Sequence, residues 1–239
     1  MMLRVADLTL AVPGKTLCRD LSFVVQPGEC WAILGCNGSG KTTLLHVLSG
    51  LAAATHGQAE LDGRSIQDFP RRELARQVGV LLQDEAQGFW GTVLEYVRLG
   101  RFPHGDEDQG LACAALQRVG MESFAPRRLA TLSGGERQRV RIAQLLAQAP
   151  RLYCLDEPLQ HLDLRYQAAM MELFRELARQ QDRAVAMVLH EPWWAARYCS
   201  HALLLFEDGH TLAGATDALL TPENLEKLYG YPLFNPICV

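Results

Sequence analysis

The feature that most constrains this chain is the segment Gly35-Cys36-Asn37-Gly38-Ser39-Gly40-Lys41-Thr42, which satisfies the pattern G-x-x-x-x-G-K-[ST]. It directly follows an apolar run, Cys30–Leu34, and opens a stretch in which Leu44, Leu45, Leu48 and Leu51 fall on one helical face. A strand, a glycine-rich turn and a helix in that order separate a phosphate cradle from a chance Gly-rich turn. The glycines let the main chain wrap closely around an anion, and successive N–H groups and the helix N-terminus face it. Gly35, Asn37, Gly38, Ser39 and Gly40 are therefore expected to hold nucleotide phosphates. Lys41 is expected to reach the β- and γ-phosphates, Thr42 to offer its hydroxyl to Mg²⁺, and Thr43 to reach the α-phosphate region.

Further apolar runs at Val78–Leu82, Leu152–Leu155, Val185–Leu189 and Ala202–Phe206 are predicted strands. Helical patterns lie between them. Met170, Leu173, Phe174 and Leu177 share the i, i+3, i+4, i+7 spacing. Strands alternating with helices predict an α/β fold with a mainly parallel sheet covered on both faces. Leu3–Leu10, Leu21–Val25 and Ala59–Leu61 are short and alternating, as in an antiparallel edge sheet. From about Glu85 to Thr131 the chain is polar, broken by loops and rich in helix formers, which predicts a helical insertion. A length of 239 residues suits one large domain carrying such an insertion.

The net charge of -4 argues mildly against nucleic acid as the main partner. Seven cysteines, an odd number with no C-x-x-C pair, argue against zinc or a disulfide framework and fit a reducing cytosol. The N-terminal MMLRVADLTL lacks an apolar core of signal-peptide length. No stretch approaches the roughly 20 apolar residues of a membrane helix. Service to a membrane is thus expected to run through a partner chain.

The run Leu152–Leu155 ends in Asp156 and Glu157. Adjacent carboxylates at a strand end repel unless a cation sits beside them; a plain helix cap is the other reading. With the phosphate cradle upstream, Asp156 is expected to hold Mg²⁺, mostly through water, and Glu157 to act as general base toward an attacking water. His190 follows Val185–Leu189 at the same sheet edge and is expected to meet the γ-phosphate or that water. Gln83, after the run Val78–Leu82, offers a neutral amide that ligates Mg²⁺ or orients water.

Leu132-Ser133-Gly134-Gly135-Glu136-Arg137-Gln138 resembles the signature loop of ABC transporter ATPases, usually L-S-G-G-Q. It precedes the Asp-Glu strand end by roughly twenty residues. The resemblance covers essentially the whole chain and implies a P-loop NTPase core, with an N-terminal antiparallel β subdomain and a helical insertion. It implies a division into a catalytic core (1–84 and 150–220), an insertion with the signature loop (about 85–149) and a C-terminal tail (221–239). It implies ATP and Mg²⁺ as cofactors, with Ser133, Gly134 and Gly135 clamping the nucleotide of a second subunit. Gln83 matches the glutamine loop, Asp163 after Leu162 the loop that crosses the dimer interface, and His190 the switch histidine. Two such chains then pair head to tail on two membrane permease subunits at the cytoplasmic face of the membrane.

Within that family the likeness is to importers of large metal chelates: iron-siderophores, haem and cobalamin, which an extracytoplasmic binding protein delivers. Three stretches carry it: Val12-Pro13-Gly14-Lys15-Thr16-Leu17, Leu99-Gly100-Arg101-Phe102-Pro103-His104, and the tail Leu220–Leu225 with Leu228-Tyr229-Gly230. Departures are Val12, where an aromatic residue often stacks on adenine, Leu82, Glu136, Glu191 and Leu159-Gln160-His161. The segment Gln87–Val93, with Phe89 and Trp90, is expected to dock a short permease helix. An ABC exporter ATPase and a soluble repair or translation ATPase are the rival readings. The long coiled-coil insertions or paired ATPase units of the soluble class are not visible here.

Overall fold

The computed structural model describes residues 1–83, 88–106, 108–180 and 182–231. In chain order the strands are β1 (Leu3–Val12), β2 (Lys15–Val25), β3 (Cys30–Gly35), β4 (His56–Leu61), β5 (Arg64–Ser65), β6 (Val78–Leu81), β7 (Leu152–Asp156), β8 (Ala184–Val188), β9 (His201–Leu205) and β10 (Thr211–Ala215). The helices are α1 (Lys41–Leu48), α2 (Arg71–Gln77), α3 (Val93–Arg98), α4 (Gln109–Arg118), α5 (Gly134–Gln148), α6 (Leu164–Arg179), α7 (Pro192–Tyr198), α8 (Thr216–Leu219) and α9 (Pro222–Tyr229).

Two sheets form. One has four strands in the order β2-β1-β4-β5, all antiparallel. The other has six, in the order β10-β9-β3-β8-β7-β6, parallel throughout except for β10 at its edge. The central strands are buried on both faces, and their residues alternate between two cores. Ala32, Leu34, Tyr153, Leu155 and Met187 face the core that holds Phe174, Trp194 and the helices α3 to α6. Ile33, Leu152, Cys154, Ala186 and Val188 face the core that holds α1 and the antiparallel sheet. Met170, Leu173, Phe174 and Leu177 are all buried, as their spacing predicts.

The register sets the chemistry. Ile33 and Asp156 both lie level with Val188, and Leu81 lies level with Leu155. The parallel strands therefore all release their C-terminal loops along one edge, the place where ligands bind in open α/β sheets.

Some boundaries differ from expectation. Leu51 is not on the α1 face: the helix ends at Leu48, Gly50 takes φ 74°, and Leu51 is left exposed. β2 starts at Lys15 rather than Leu21, because the turn at Pro13-Gly14 lets Lys15 pair with Val12. The polar run through Asp20 hides that strand although Leu17 and Cys18 are buried. β6 stops at Leu81, so Leu82 is exposed. β8 and β9 each begin and end one residue earlier than their apolar runs. The edge strand β10 has no counterpart among the apolar runs. The helical stretch expected near 85–131 contains α3 and α4 with short single-turn helices, and these pack on α5.

Candidate functional site

The loop after β3 turns through two glycines in the left-handed region, Gly38 at φ 75° and Gly40 at φ 101°. A side chain at Gly40 would also meet Leu17 at 2.9 Å, so this N-cap of α1 takes no larger residue without strain. Lys41 is buried, and its Nζ donates to the carbonyls of Gly35 (2.9 Å) and Cys36 (3.0 Å). Burial pulls the ammonium pKa down, while Glu157, Cys36 and Asp156 pull it back up. A γ-phosphate would offer Lys41 a stronger acceptor than these carbonyls.

Asp156 ends β7 fully buried, and neither carboxylate oxygen has a partner in hydrogen-bonding geometry. Burial raises its pKa; the nearby Thr42 hydroxyl opposes this, and the Glu157 charge adds to it. A sealed carboxylate without a partner, beside a hydroxyl, fits a hard divalent cation whose remaining ligands are water and phosphate oxygens. Asp156 and Thr42 would hold Mg²⁺ there.

The chain then turns sharply. Glu157 adopts φ 49°, unusual for a non-glycine residue, and this strain takes its carboxylate out of the strand and into the cleft. Three side chains hold it. His190 Nε2 lies 2.8 Å from Oε1, Gln83 Nε2 donates to Oε2 at 3.3 Å, and Gln160 Nε2 donates to the same oxygen. The cleft itself measures about 600 Å³ and is lined by Val12, Leu17, Asn37, Gly38, Gly40, Lys41, Thr42, Thr43, Gln83, Glu157, Gln160 and His190. Its outer wall is aliphatic at Val12 and Leu17. Ser39 is buried under the loop.

Ser133, Gly134 and Gly135 do not line this cleft. Ser133 caps α5 in a reciprocal box with Glu136: its hydroxyl accepts from Glu136 N–H (3.3 Å), and the Glu136 carboxylate accepts from Ser133 N–H (2.8 Å). Those hydrogen bonds hold the Glu136 pKa low. A side chain at Gly135 would strike the His161 carbonyl at 2.8 Å, so the loop packs on the turn before Asp163. Asp163 caps α6 through the Tyr166 N–H (3.0 Å) and is exposed.

Residues beyond the expected set also belong to the site. Gln160 appeared in the sequence only as a departure from a common tripeptide, although its position three residues after Glu157 puts it in reach. Lys15 Nζ donates to the Gly38 carbonyl at 3.0 Å and so braces the loop. The stretch Leu99–His104 divides by role. Arg101 is buried, pairs with Asp106 at 2.7 Å and donates to the Ala147 carbonyl; His104 contacts the Gln148 carbonyl. Leu99 and Phe102 stay exposed on a groove of about 400 Å³, and Trp90 is 83 % exposed nearby in sequence to α3. Gln87, the first residue of the expected docking segment, lies outside the described residues.

Residues 18–160 match the family described as ABC transporter. The ferric enterobactin transport ATP-binding protein FepC of Escherichia coli (strain K12) is 39 % identical over 95 % of this chain and 87 % of its own. The hemin import ATP-binding protein HmuV of Deinococcus radiodurans is 41 % identical over 96 % of this chain and 90 % of its own. A solved inward-facing transporter described as of metal-chelate type superposes with a TM-score of 0.84 at 30 % identity, covering 98 % of this chain and 90 % of that one. The match over residues 18–160 and the likeness along nearly the whole sequence, joined to a glycine-rich loop, a buried carboxylate and a second, tethered carboxylate on one sheet edge, establish that the chain belongs to the ABC transporter family as one of its ATP-binding, ATP-hydrolysing subunits.

Proposed function

We propose that the chain drives import of a metal chelate, an iron-siderophore or haem, or of a corrinoid such as cobalamin, as one of two identical ATPase subunits beneath a two-subunit permease. The observation that carries the hydrolytic part is the placement of Glu157. Its carboxylate stands in the cleft beside Lys41, held by Gln83, Gln160 and His190, where it would accept a proton from the attacking water. Importer cargo is supported by the relatives named for ferric enterobactin and hemin.

Hydrolysis here is positioning and charge neutralisation. The loop 35–40 and Lys41 fix the phosphates. Asp156 and Thr42 would hold Mg²⁺, which when bound would supply positive charge beside the phosphates. Glu157 takes the proton of the attacking water while Gln83 and His190 orient it. The site is half-built in one chain, because Ser133–Gly135 lie outside its own cleft. A second copy, approaching head to tail, brings them to the γ-phosphate, with Asp163 at the seam. ATP thus closes the pair and hydrolysis releases it.

Leu99 and Phe102 stand exposed on a groove also lined by Arg72, Glu95, Arg98 and Asp106, and Trp90 is exposed in the loop before α3; these apolar side chains would dock a permease helix. No helix among the described residues is long and apolar enough to cross a membrane, so that contact would hold the subunit at the cytoplasmic face. We keep the division into core, insertion and tail: the tail contributes α9, and the insertion contributes the groove and the signature loop. An extracytoplasmic binding protein would hand over the cargo.

Glu157→Gln tests the chemistry. It should bind ATP as the parent does and lose about 10²- to 10⁴-fold in turnover, with a stable ATP-bound dimer on size exclusion. Turnover near the parent rate would remove Glu157 as the base. Uptake of labelled haem, siderophore and cobalamin in a deletion strain identifies the cargo; retention of all three would refute the importer reading.

A further inference from the structure

We propose that Tyr229, on the C-terminal helix α9, is a positioning residue for His190, and that the last turn of this helix ties the phosphate loop to the switch-histidine loop. The proposal rests on the role of His190 given above and adds a residue outside the stretch 18–160 that matches the family.

The helix is firmly built. Thr221 caps its start by accepting from Asn224 N–H, Pro222 occupies the first turn, and Asn224 Nδ2 donates to the Leu219 carbonyl at 2.9 Å. Leu225 and Leu228 are buried in the same core as Phe206 and Trp194. Lys227 lies over the Phe206 ring, 4.9 Å from its centre. Gly230 closes the helix at φ 68°.

Two consecutive residues of this fixed turn reach two different loops, the one after β3 and the one after β8. The Leu228 carbonyl accepts from the Cys36 thiol at 3.1 Å, in the phosphate loop. The Tyr229 hydroxyl donates to the His190 carbonyl at 3.3 Å. His190 sits between the end of β8 and the start of α7, and its ring is part-exposed over Glu157. A main-chain anchor at this residue sets where the ring can stand relative to the γ-phosphate that Lys41 holds. The helix therefore keeps the distance between phosphate loop and histidine fixed, a distance that in-line attack requires.

The test compares Tyr229→Phe, His190→Ala and the double variant of the full chain. The measurements are kcat and KM for ATP, the thermal midpoint, and hydrogen exchange of residues 189–194. Losing one anchoring hydrogen bond is expected to lower kcat about two- to tenfold with KM for ATP nearly unchanged. Amide exchange in 189–194 should rise while the rest of the protein stays as protected. In the His190→Ala background Tyr229→Phe should cost nothing further, because both act through one ring. Unchanged kcat with unchanged exchange, or losses that multiply in the double variant, overturns the proposal. Full activity of His190→Ala alone would instead sink the role of the histidine, a separate result from a separate variant.

Discussion

Replacing Asp156 by asparagine is expected to make the nucleotide-free protein more stable while destroying its response to Mg²⁺ and ATP. Asp156 is fully buried and neither oxygen has a hydrogen-bond partner. An unpaired buried carboxylate costs several kcal/mol even after relaxation, whereas an unsatisfied neutral polar group costs about 1–3 kcal/mol. The Thr42 hydroxyl, and behind it His46 and Lys41, offset part of this cost for the carboxylate, and asparagine forfeits part of that offset. A net gain of about 1–2 kcal/mol follows, or about 2–8 °C in Tm for a chain of this size. The pH dependence carries the sign. Burial raises the folded-state pKa above the unfolded value, so the folded parent binds more protons in the window from about pH 4 upward. Its stability contribution is present at low pH and lost as pH rises through that window; the asparagine variant should lack this slope. With ATP and Mg²⁺ at 100 times Kd the parent gains about 2.7 kcal/mol, and a hundredfold weaker variant only about 0.4 kcal/mol. Thermal melts of both proteins across pH, with chelator and with nucleotide plus metal, read all three effects. A lower Tm for the apo variant, or an unchanged nucleotide response, would refute the account of Asp156 as a cation ligand held in advance at a cost to the fold.

Other substitutions separate the remaining roles. Gly40→Ala must adopt φ 101° and press on Leu17, so ATP binding by equilibrium titration should fall steeply while the fold survives. Glu136→Gln keeps an acceptor for the Ser133 N–H but removes a charge that would face the partner's γ-phosphate, so ATP-driven dimerisation should tighten severalfold by analytical ultracentrifugation; weakening would contradict the trans assignment. Arg101→Ala strips the Ala147 carbonyl of its donor and should cost about 1–2 kcal/mol in denaturant melts without altering ATP affinity. Its partner Asp106 is held at a pKa of about 2 by the Arg101 hydrogen bonds, so the pair stabilises fully above about pH 4 and fades as pH falls toward 2 in the parent alone. Trp90→Ser should leave isolated ATPase activity intact and abolish co-purification with the permease.

Much of this protein is legible in the sequence alone. The phosphate loop, the Asp156-Glu157 strand end and the Ser133 cap obey rules that act within about eight residues: glycine at positive φ, a capping residue three positions before its partner, and apolar runs that end in charge. The parallel α/β architecture followed from strand and helix periodicity. Lys15–Asp20 failed as a strand because its partner is β1, and the pairing, not the local pattern, buries Leu17 and Cys18.

What only tertiary structure decided is distance between residues far apart in the chain. Gln83 and Glu157 meet across 74 positions because β6 and β7 pair in register. His190 reaches Glu157 because β8 lies beside β7. The Leu99–His104 stretch divides into a buried clamp at Arg101 and an exposed face at Phe102 only once α5 packs beneath it. Nothing in the local pattern of Leu228-Tyr229 indicates that one turn of helix touches both the phosphate loop and the histidine. Local propensity fixes φ, ψ and caps within a few residues. Sheet register and core packing, which are cooperative over the whole chain, fix which loops share an edge, and catalysis depends on that edge.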